Sequence, residues 1–96
     1  MKIELALGLG PLTIYKAYNV PEYVKISDIL ERFNAVRLFV YDKDLGERFF
    51  SREATGVNVL CDNCSYILVT ENLKKTLDSF LDNDANAFET AKVESA

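Results

Sequence analysis

The start of the chain alternates between apolar and polar residues, and this alternation constrains the fold more than any other feature. Residues 2–7 place isoleucine and leucine at every odd position, which is the two-residue period of a half-buried β-strand. Two glycines and a proline within residues 8–11 predict a tight turn. Residues 12–20 are rich in β-branched and aromatic side chains and predict a second strand. Because the connection is short, the two strands are expected to form a hairpin.

The second strand contains one position that does not fit a simple apolar face. Ile14 and Tyr18 share a face with Lys16 when the segment is extended. A lysine in such a row is expected either to mark a β-bulge or to extend its ammonium towards the surface.

The middle of the chain predicts one helix and several further strands. Apolar residues recur at helical spacing after Pro21, which predicts a helix of about ten residues from near Lys25 to around Asn34. Strand-like segments follow at residues 36–41, 47–50, 57–60 and 66–69, with a polar connection at residues 51–56. The side chains expected in the core between sheet and helix are Ile3, Leu5, Ile29, Leu30, Phe33, Leu38 and one of Ile67 and Leu68.

The end of the chain predicts an acidic amphipathic helix. Thr70 can accept a backbone N–H as its N-cap, and Glu71 suits the positive end of the helix dipole. The apolar stripe of this helix consists of Leu73, Leu77, Phe80 and Leu81. An isolated helix of this length is marginal in water, so it is expected to dock on its own sheet or on a partner chain. The expected organisation is a domain over residues 1–69, with the acidic helix and tail over residues 70–96 packed on it.

The order of these elements resembles that of the ubiquitin-like, or β-grasp, superfamily. Met1-Lys2-Ile3 opens the first strand, and Val20-Pro21 closes the second strand just before the helix. Residues 36–40 and 66–69 look like the third and last strands of that fold. The resemblance covers residues 1–69 and implies an α+β, β-grasp-type roll with element order β-β-α-β-β-β, to which a C-terminal α-helix is added. A ferredoxin-like plait is the alternative, but the tight first hairpin argues against its opening β-α-β unit.

One departure from the ubiquitin-like pattern bears directly on function. Ubiquitin-like modifiers end in a free Gly-Gly directly after the last strand, because ligation needs an exposed and unbranched terminal carboxylate. Here Thr70-Glu71-Asn72 leads instead into a helix. Conjugation and sulfur carriage are therefore not expected.

Composition and charge exclude several function classes. The chain of 96 residues has no histidine, so nucleophile–histidine pairs and histidine-ligated metals are absent. Fifteen acidic and eleven basic residues give a net charge of −4, and residues 61–96 carry all of that excess. An acidic surface without a basic stripe disfavours nucleic-acid binding. Apolar runs fall far short of the ~20 residues of a membrane helix, and Glu4 interrupts the only candidate signal sequence, so a cytoplasmic, non-membrane protein is expected.

The two cysteines, Cys61 and Cys64, form a single Cys-x-x-Cys motif. Tetrahedral zinc needs four ligands, so no metal or other cofactor is expected in the monomer, although two chains could share a site. The motif precedes a strand-like segment rather than opening a helix as a redox motif would. A turn flanked by two reduced thiols is the plainest interpretation, and a redox protein or small enzyme using this pair is the less favoured alternative.

The sequence therefore favours a small non-catalytic protein-interaction module, adaptor or subunit. A viral or mobile-element protein that inhibits or assembles with a larger machine is an alternative role. The expected partner is another protein, and a second copy of the chain is equally compatible. The candidate partner-binding residues are Leu9, Phe39, Tyr41, Tyr66, Leu73, Leu77, Phe80 and Leu81.

Overall fold

The computed structural model describes residues 1–9, 11–41, 50–55 and 60–88, which form a mixed five-stranded sheet and two helices. The strands are β1 (Lys2–Leu9), β2 (Leu12–Asn19), β3 (Arg37–Tyr41), β4 (Phe50–Ala54) and β5 (Ser65–Val69). The helices are α1 (Ile26–Arg32) and α2 (Leu73–Asp82). The predicted α+β class is therefore confirmed. No helix in these parts of the chain is both long enough and apolar enough to cross a membrane.

The order of strands across the sheet is β2-β1-β5-β3-β4. β1 and β2 form the expected antiparallel hairpin, with an unbroken register from the Lys2–Asn19 pair to the Leu9–Leu12 pair. β1 also pairs in parallel with β5, and β3 is antiparallel to both β4 and β5. β1 and β5, the first and last of these strands in sequence, are thus neighbours in the middle of the sheet.

The main core lies between one face of the sheet and both helices. Of the predicted core residues, the buried ones are Ile3, Leu5, Ile29, Phe33, Leu38 and Leu68, whereas Leu30 is half-buried at the edge of this cluster. Ile67 is buried on the other face of the sheet. Phe80 of α2 is fully buried and its ring contacts those of Tyr18 and Phe33. α2 therefore docks on its own sheet.

Lys16 lies on the helix-facing side of β2 without a bulge, because its register with Leu5 is regular. Its Nζ donates to the backbone carbonyls of Phe80, at 3.0 Å, and Asn83, at 2.5 Å. The same nitrogen stands 5.6 Å from the ring centroid of Tyr18. The lysine therefore reaches the C-terminal end of α2, which has no basic residue in its own last turn.

α1 is shorter than expected, and Asn34 ends it. Asn34 has a positive φ of 54°. Its N–H donates to the Glu31 carbonyl, and the Ala35 N–H donates to the Leu30 carbonyl. This pair of bonds is a Schellman motif, in which a residue of positive φ closes the helix.

The N-cap of α2 is Asn72, so the prediction of Thr70 was wrong. The side-chain oxygen of Asn72 accepts from the Lys75 N–H at 3.2 Å. Thr70 lies two residues before the cap, where its hydroxyl accepts from the Asn72 N–H and hydrogen-bonds to Thr76. The threonine thus shapes the turn that enters the helix.

Part of the polar connection predicted at residues 51–56 is a strand instead. Residues 51–54, predicted as a polar connection, belong to β4 and pair with β3. Most of the strand-like segments predicted at 47–50 and 57–60 lies outside the described residues, as does the tail after Phe88. Ala87 and Phe88 are buried against the main core, so the chain continues to pack after α2 ends.

Candidate protein-interaction surface

The face of the sheet opposite the helices carries a second, smaller apolar cluster. It consists of Ala6, Tyr41 and Ile67, with Phe39 packed against them. All four side chains come from strands β1, β3 and β5, and none of the described helix residues belongs to the cluster. Register places Ala6 beside Ile67 and Ile67 beside Phe39, so cross-strand contacts build this cluster.

Tyr15 extends the cluster from the edge strand β2. It is paired with Ala6 in the register of the hairpin. The ring centroids of Tyr15 and Tyr41 are 6.1 Å apart, and their hydroxyl oxygens are 3.3 Å apart. The two tyrosines meet across β1 and β5, where the small side chain of Ala6 leaves room. We call Ala6, Tyr15, Phe39, Tyr41 and Ile67 the aromatic face.

The aromatic face combines a buried floor with an accessible upper surface. Ala6, Tyr41 and Ile67 are buried, Phe39 is half-buried, and Tyr15 is 41% exposed. Aromatic side chains with a polar end are enriched at protein interfaces, because they bury a large area and keep a hydrogen-bonding group. The aromatic face therefore has the residue composition that is typical of the centre of a protein–protein interface.

Charged and polar groups border this face. Arg37 and Glu53 approach each other at 4.0 Å on the strands β3 and β4, and both side chains are well exposed. Ser65 donates to the Glu4 carboxylate at 3.1 Å. A depression of about 190 Å³ lies beside this pair and is lined by Lys2, Ile3, Glu4, Ala17, Asn63 and Ser65. Ligand pockets usually measure about 300–1,000 Å³, so the depression is small for a metabolite.

The predicted partner-binding residues do not form one surface. Phe39 and Tyr41 lie on the aromatic face, whereas Tyr66 and Phe80 are buried in the main core, where they are out of reach of a partner. Leu9 is in β1, but its side chain lies outside the described part of the structure.

The predicted stripe of α2 divides between core and solvent. Leu77 is half-buried against the main core, whereas Leu73 is 43% exposed and Leu81 is 62% exposed. The helix thus uses Thr76 and Phe80 as its buried contacts. Thr76 is a polar residue that the apolar stripe did not include, and its hydroxyl donates to the Asn34 carbonyl at 2.8 Å.

Sequence reasoning missed Tyr15, the most accessible tyrosine of the aromatic face. The alternation of side chains along β2 could have identified it. Tyr15 lies between Ile14 and Lys16 in sequence and therefore on the opposite face of the strand. Pairing it with Tyr41 required the order of the strands across the whole sheet.

The described residues contain no group of three or more histidine, cysteine, aspartate or glutamate side chains that could hold a metal ion. Comparison of the chain with protein-family models, curated proteins and solved structures finds no match.

Proposed function

We propose that the protein is a small non-catalytic protein-interaction module that binds another protein through its aromatic face. The single observation that carries the proposal is the Tyr15–Tyr41 pair on the sheet face opposite the helices. An exposed tyrosine that packs on a buried apolar floor, as Tyr15 packs beside the buried Tyr41, is typical of the residues that dominate binding energy. The exposed pair of Arg37 and Glu53 supplies the polar border that such a centre needs.

We also propose that the fold is a ubiquitin-like β-grasp with an added helix. The strand order β2-β1-β5-β3-β4, the opening hairpin and the parallel β1–β5 pair support this assignment. In β-grasp domains the sheet face away from the helix commonly binds partners, which agrees with the location of the aromatic face. Since β5 leads into α2 rather than into a pair of glycines, the proposed role is binding without conjugation.

Site-directed photo-cross-linking tests this function. Tyr15 is replaced by p-benzoylphenylalanine, and Tyr23 is replaced in the same way as the matched control. Tyr23 is an even more exposed tyrosine, at 68%, and it precedes α1. In extract of the cells that make the protein, we expect position 15 to form a discrete adduct that excess unlabelled protein suppresses, and position 23 to form none.

The outcomes separate the alternatives. An adduct between two copies of the chain at position 15 would assign the face to self-association. Equal labelling at both positions, or labelling at neither, would contradict the proposed binding face. As a second measurement, Phe39→Ser should weaken the adduct without changing the far-ultraviolet circular dichroism spectrum.

A further inference from the structure

The two cysteines occupy the ends of a four-residue turn whose backbone brings them together. Asp62 and Asn63 form its centre, and Asn63 has a positive φ of 61°. A positive φ at the third position is the requirement of a type II turn, which asparagine tolerates. In a β-turn the outer Cα atoms are less than about 7 Å apart, and disulfides bridge Cα atoms separated by about 4.4–6.8 Å.

Hydrogen bonds to β1 hold this turn in place. The Lys2 N–H donates to the Asp62 carboxylate at 2.8 Å, and the Asn63 N–H donates to the Lys2 carbonyl at 2.7 Å. The Glu4 N–H donates to the Cys64 carbonyl at 3.0 Å. These bonds hold the centre of the turn and its Cys64 end against β1.

The environments of the two thiols differ. Both cysteines are free, but Cys61 is exposed and Cys64 is half-buried. The hydroxyl of Tyr66 accepts from the Cys61 N–H at 2.8 Å. Burial, followed by the hydrogen bond and the charge of the neighbouring Cys61 thiol, raises the pKa of Cys64, while a hydrogen bond from Tyr66 opposes this rise. An oxidant from solvent therefore meets Cys61 first, with Cys64 beside it as a protonated thiol.

We propose that Cys61 and Cys64 are a reversible dithiol–disulfide site that a hydroperoxide oxidises. The Cys61 thiol releases its proton to water, and the resulting thiolate attacks the terminal oxygen of the hydroperoxide. The O–O bond breaks, Cys61 becomes a sulfenic acid, and the leaving hydroxide or alkoxide takes up a proton from water and departs as water or an alcohol. The Cys64 sulfur then attacks the Cys61 sulfur, the S–S bond forms, and the S–O bond breaks. The hydroxide takes the Cys64 proton and leaves as water, so two thiols lose two electrons and two protons to one peroxide. Two molecules of a thiol such as glutathione reduce the disulfide by exchange, which restores both cysteine thiols and forms glutathione disulfide.

This site is independent of the aromatic face. The turn joins Leu60 to the start of β5, whereas the aromatic face depends on Tyr15, Phe39 and Tyr41. Failure of the cross-linking experiment would leave the thiol chemistry unaffected, and failure of the thiol experiment would leave the binding proposal unaffected.

The test treats the reduced full-length protein with hydrogen peroxide, alkylates the remaining thiols and measures the intact mass. We expect the loss of two hydrogens per chain, protection of both cysteines from alkylation, and recovery of both thiols after incubation with reduced glutathione. The extent of closure should not change when the protein is diluted, because the reaction is within one chain. Disulfide-linked dimers, or a protein that retains both alkylatable thiols, would overturn the proposal.

Serine variants test the separate roles of the two cysteines. In Cys64→Ser, we expect dimedone to label Cys61 several-fold more than in the unmodified protein, because the sulfenic acid lacks its neighbouring thiol. In the matched variant Cys61→Ser, we expect little dimedone labelling, since Cys64 is half-buried. Equal labelling of the two variants would overturn the assignment of Cys61 as the thiol that is oxidised first. Circular dichroism checks that both variants are folded.

Discussion

The side-chain ammonium of Lys16 donates to the backbone carbonyl of Phe80 at 3.0 Å and thereby ties the edge strand β2 to the end of α2. The same ammonium donates to the carbonyl of Asn83, the residue that follows the helix. The last carbonyls of a helix lack partners within it and carry partial negative charge. A lysine from a strand therefore satisfies the helix end, and the apolar row of β2 accommodates it because its ammonium is hydrogen-bonded to these carbonyls.

We expect Lys16→Met to destabilise the protein by about 1.5–3 kcal/mol, the usual contribution of a hydrogen bond to a charged group. Methionine retains the apolar stem but removes the ammonium donor of the Asn83 carbonyl and one of the two donors of the Phe80 carbonyl, the other being the Tyr18 hydroxyl. Urea titration monitored by circular dichroism measures the change. The matched control is Lys75→Met on the exposed side of α2, where we expect a change within about 0.5 kcal/mol. Equal effects of the two variants would show that the Lys16 contacts contribute nothing.

Phe80→Ala is expected to cost about 3–5 kcal/mol, because a fully buried ring is removed from the core. Its ring lies 6.2 Å from that of Tyr18 and 6.0 Å from that of Phe33, so the cavity would open between the sheet and both helices. Leu81→Ala, one residue later and 62% exposed, is the matched control and should change stability by less than about 0.5 kcal/mol. If both variants unfold at the same denaturant concentration, α2 is not docked as described.

Deleting the chain after Val69 should yield a protein that aggregates or remains unfolded. The deletion removes Phe80, Ala87 and Phe88 from the main core and exposes Tyr18 and Phe33 to water. Size-exclusion chromatography shows whether the shortened protein aggregates, and circular dichroism shows whether it is folded; the full-length protein is the reference for both. A shortened protein that is folded and monomeric would show that residues 1–69 are stable on their own.

Asn34→Ala is expected to be less stable than Asn34→Gly by about 1 kcal/mol, because φ at this position is 54° and alanine is disfavoured there. Both variants lose the side-chain hydrogen bond from Asn34 to the Ser79 hydroxyl, which measures 2.8 Å. The difference between them therefore isolates the backbone requirement. Thermal unfolding measures both, and equal stabilities would contradict a strained backbone at the end of α1.

Local spacing predicts the parts of this fold that depend on neighbours in sequence. The alternation of Ile3 and Leu5 indicated both the first strand and its buried face, and the helical spacing of Ile29 and Phe33 indicated the face of α1. The end of α1 near Asn34 was also predictable, since asparagine tolerates a positive φ.

Contacts between distant residues were beyond this kind of reasoning. Lys16 and Phe80 are 64 positions apart, and nothing in either segment indicates the other. The Tyr15–Tyr41 contact depends on the order of four strands, which spacing within one strand does not specify. The N-cap was misassigned because Thr70 and Asn72 are both good caps, and only the direction in which the chain leaves β5 distinguishes them.

The stability of the protein is expected to fall at high pH. Burial, with a smaller contribution from the negative charge of Asp84, raises the pKa of Tyr18 to about 12, against an ordinary value of 10.0. Above pH 10 the unfolded chain therefore loses the Tyr18 proton while the folded protein keeps it. Protons then favour the folded state, so this contribution to stability is complete below about pH 10 and declines as the pH rises towards about 12.

Burial also raises the pKa of Tyr66, so its contribution declines in the same direction. Urea titrations between about pH 9 and pH 11 should show falling stability, and Tyr18→Phe should show a shallower fall. That variant preserves the contact between the rings at positions 18 and 33, whose centroids are 5.2 Å apart. It loses only the hydroxyl that donates to the Phe80 carbonyl. Identical slopes for the two proteins would mean that the Tyr18 hydroxyl ionises as readily in the folded protein as in the unfolded chain.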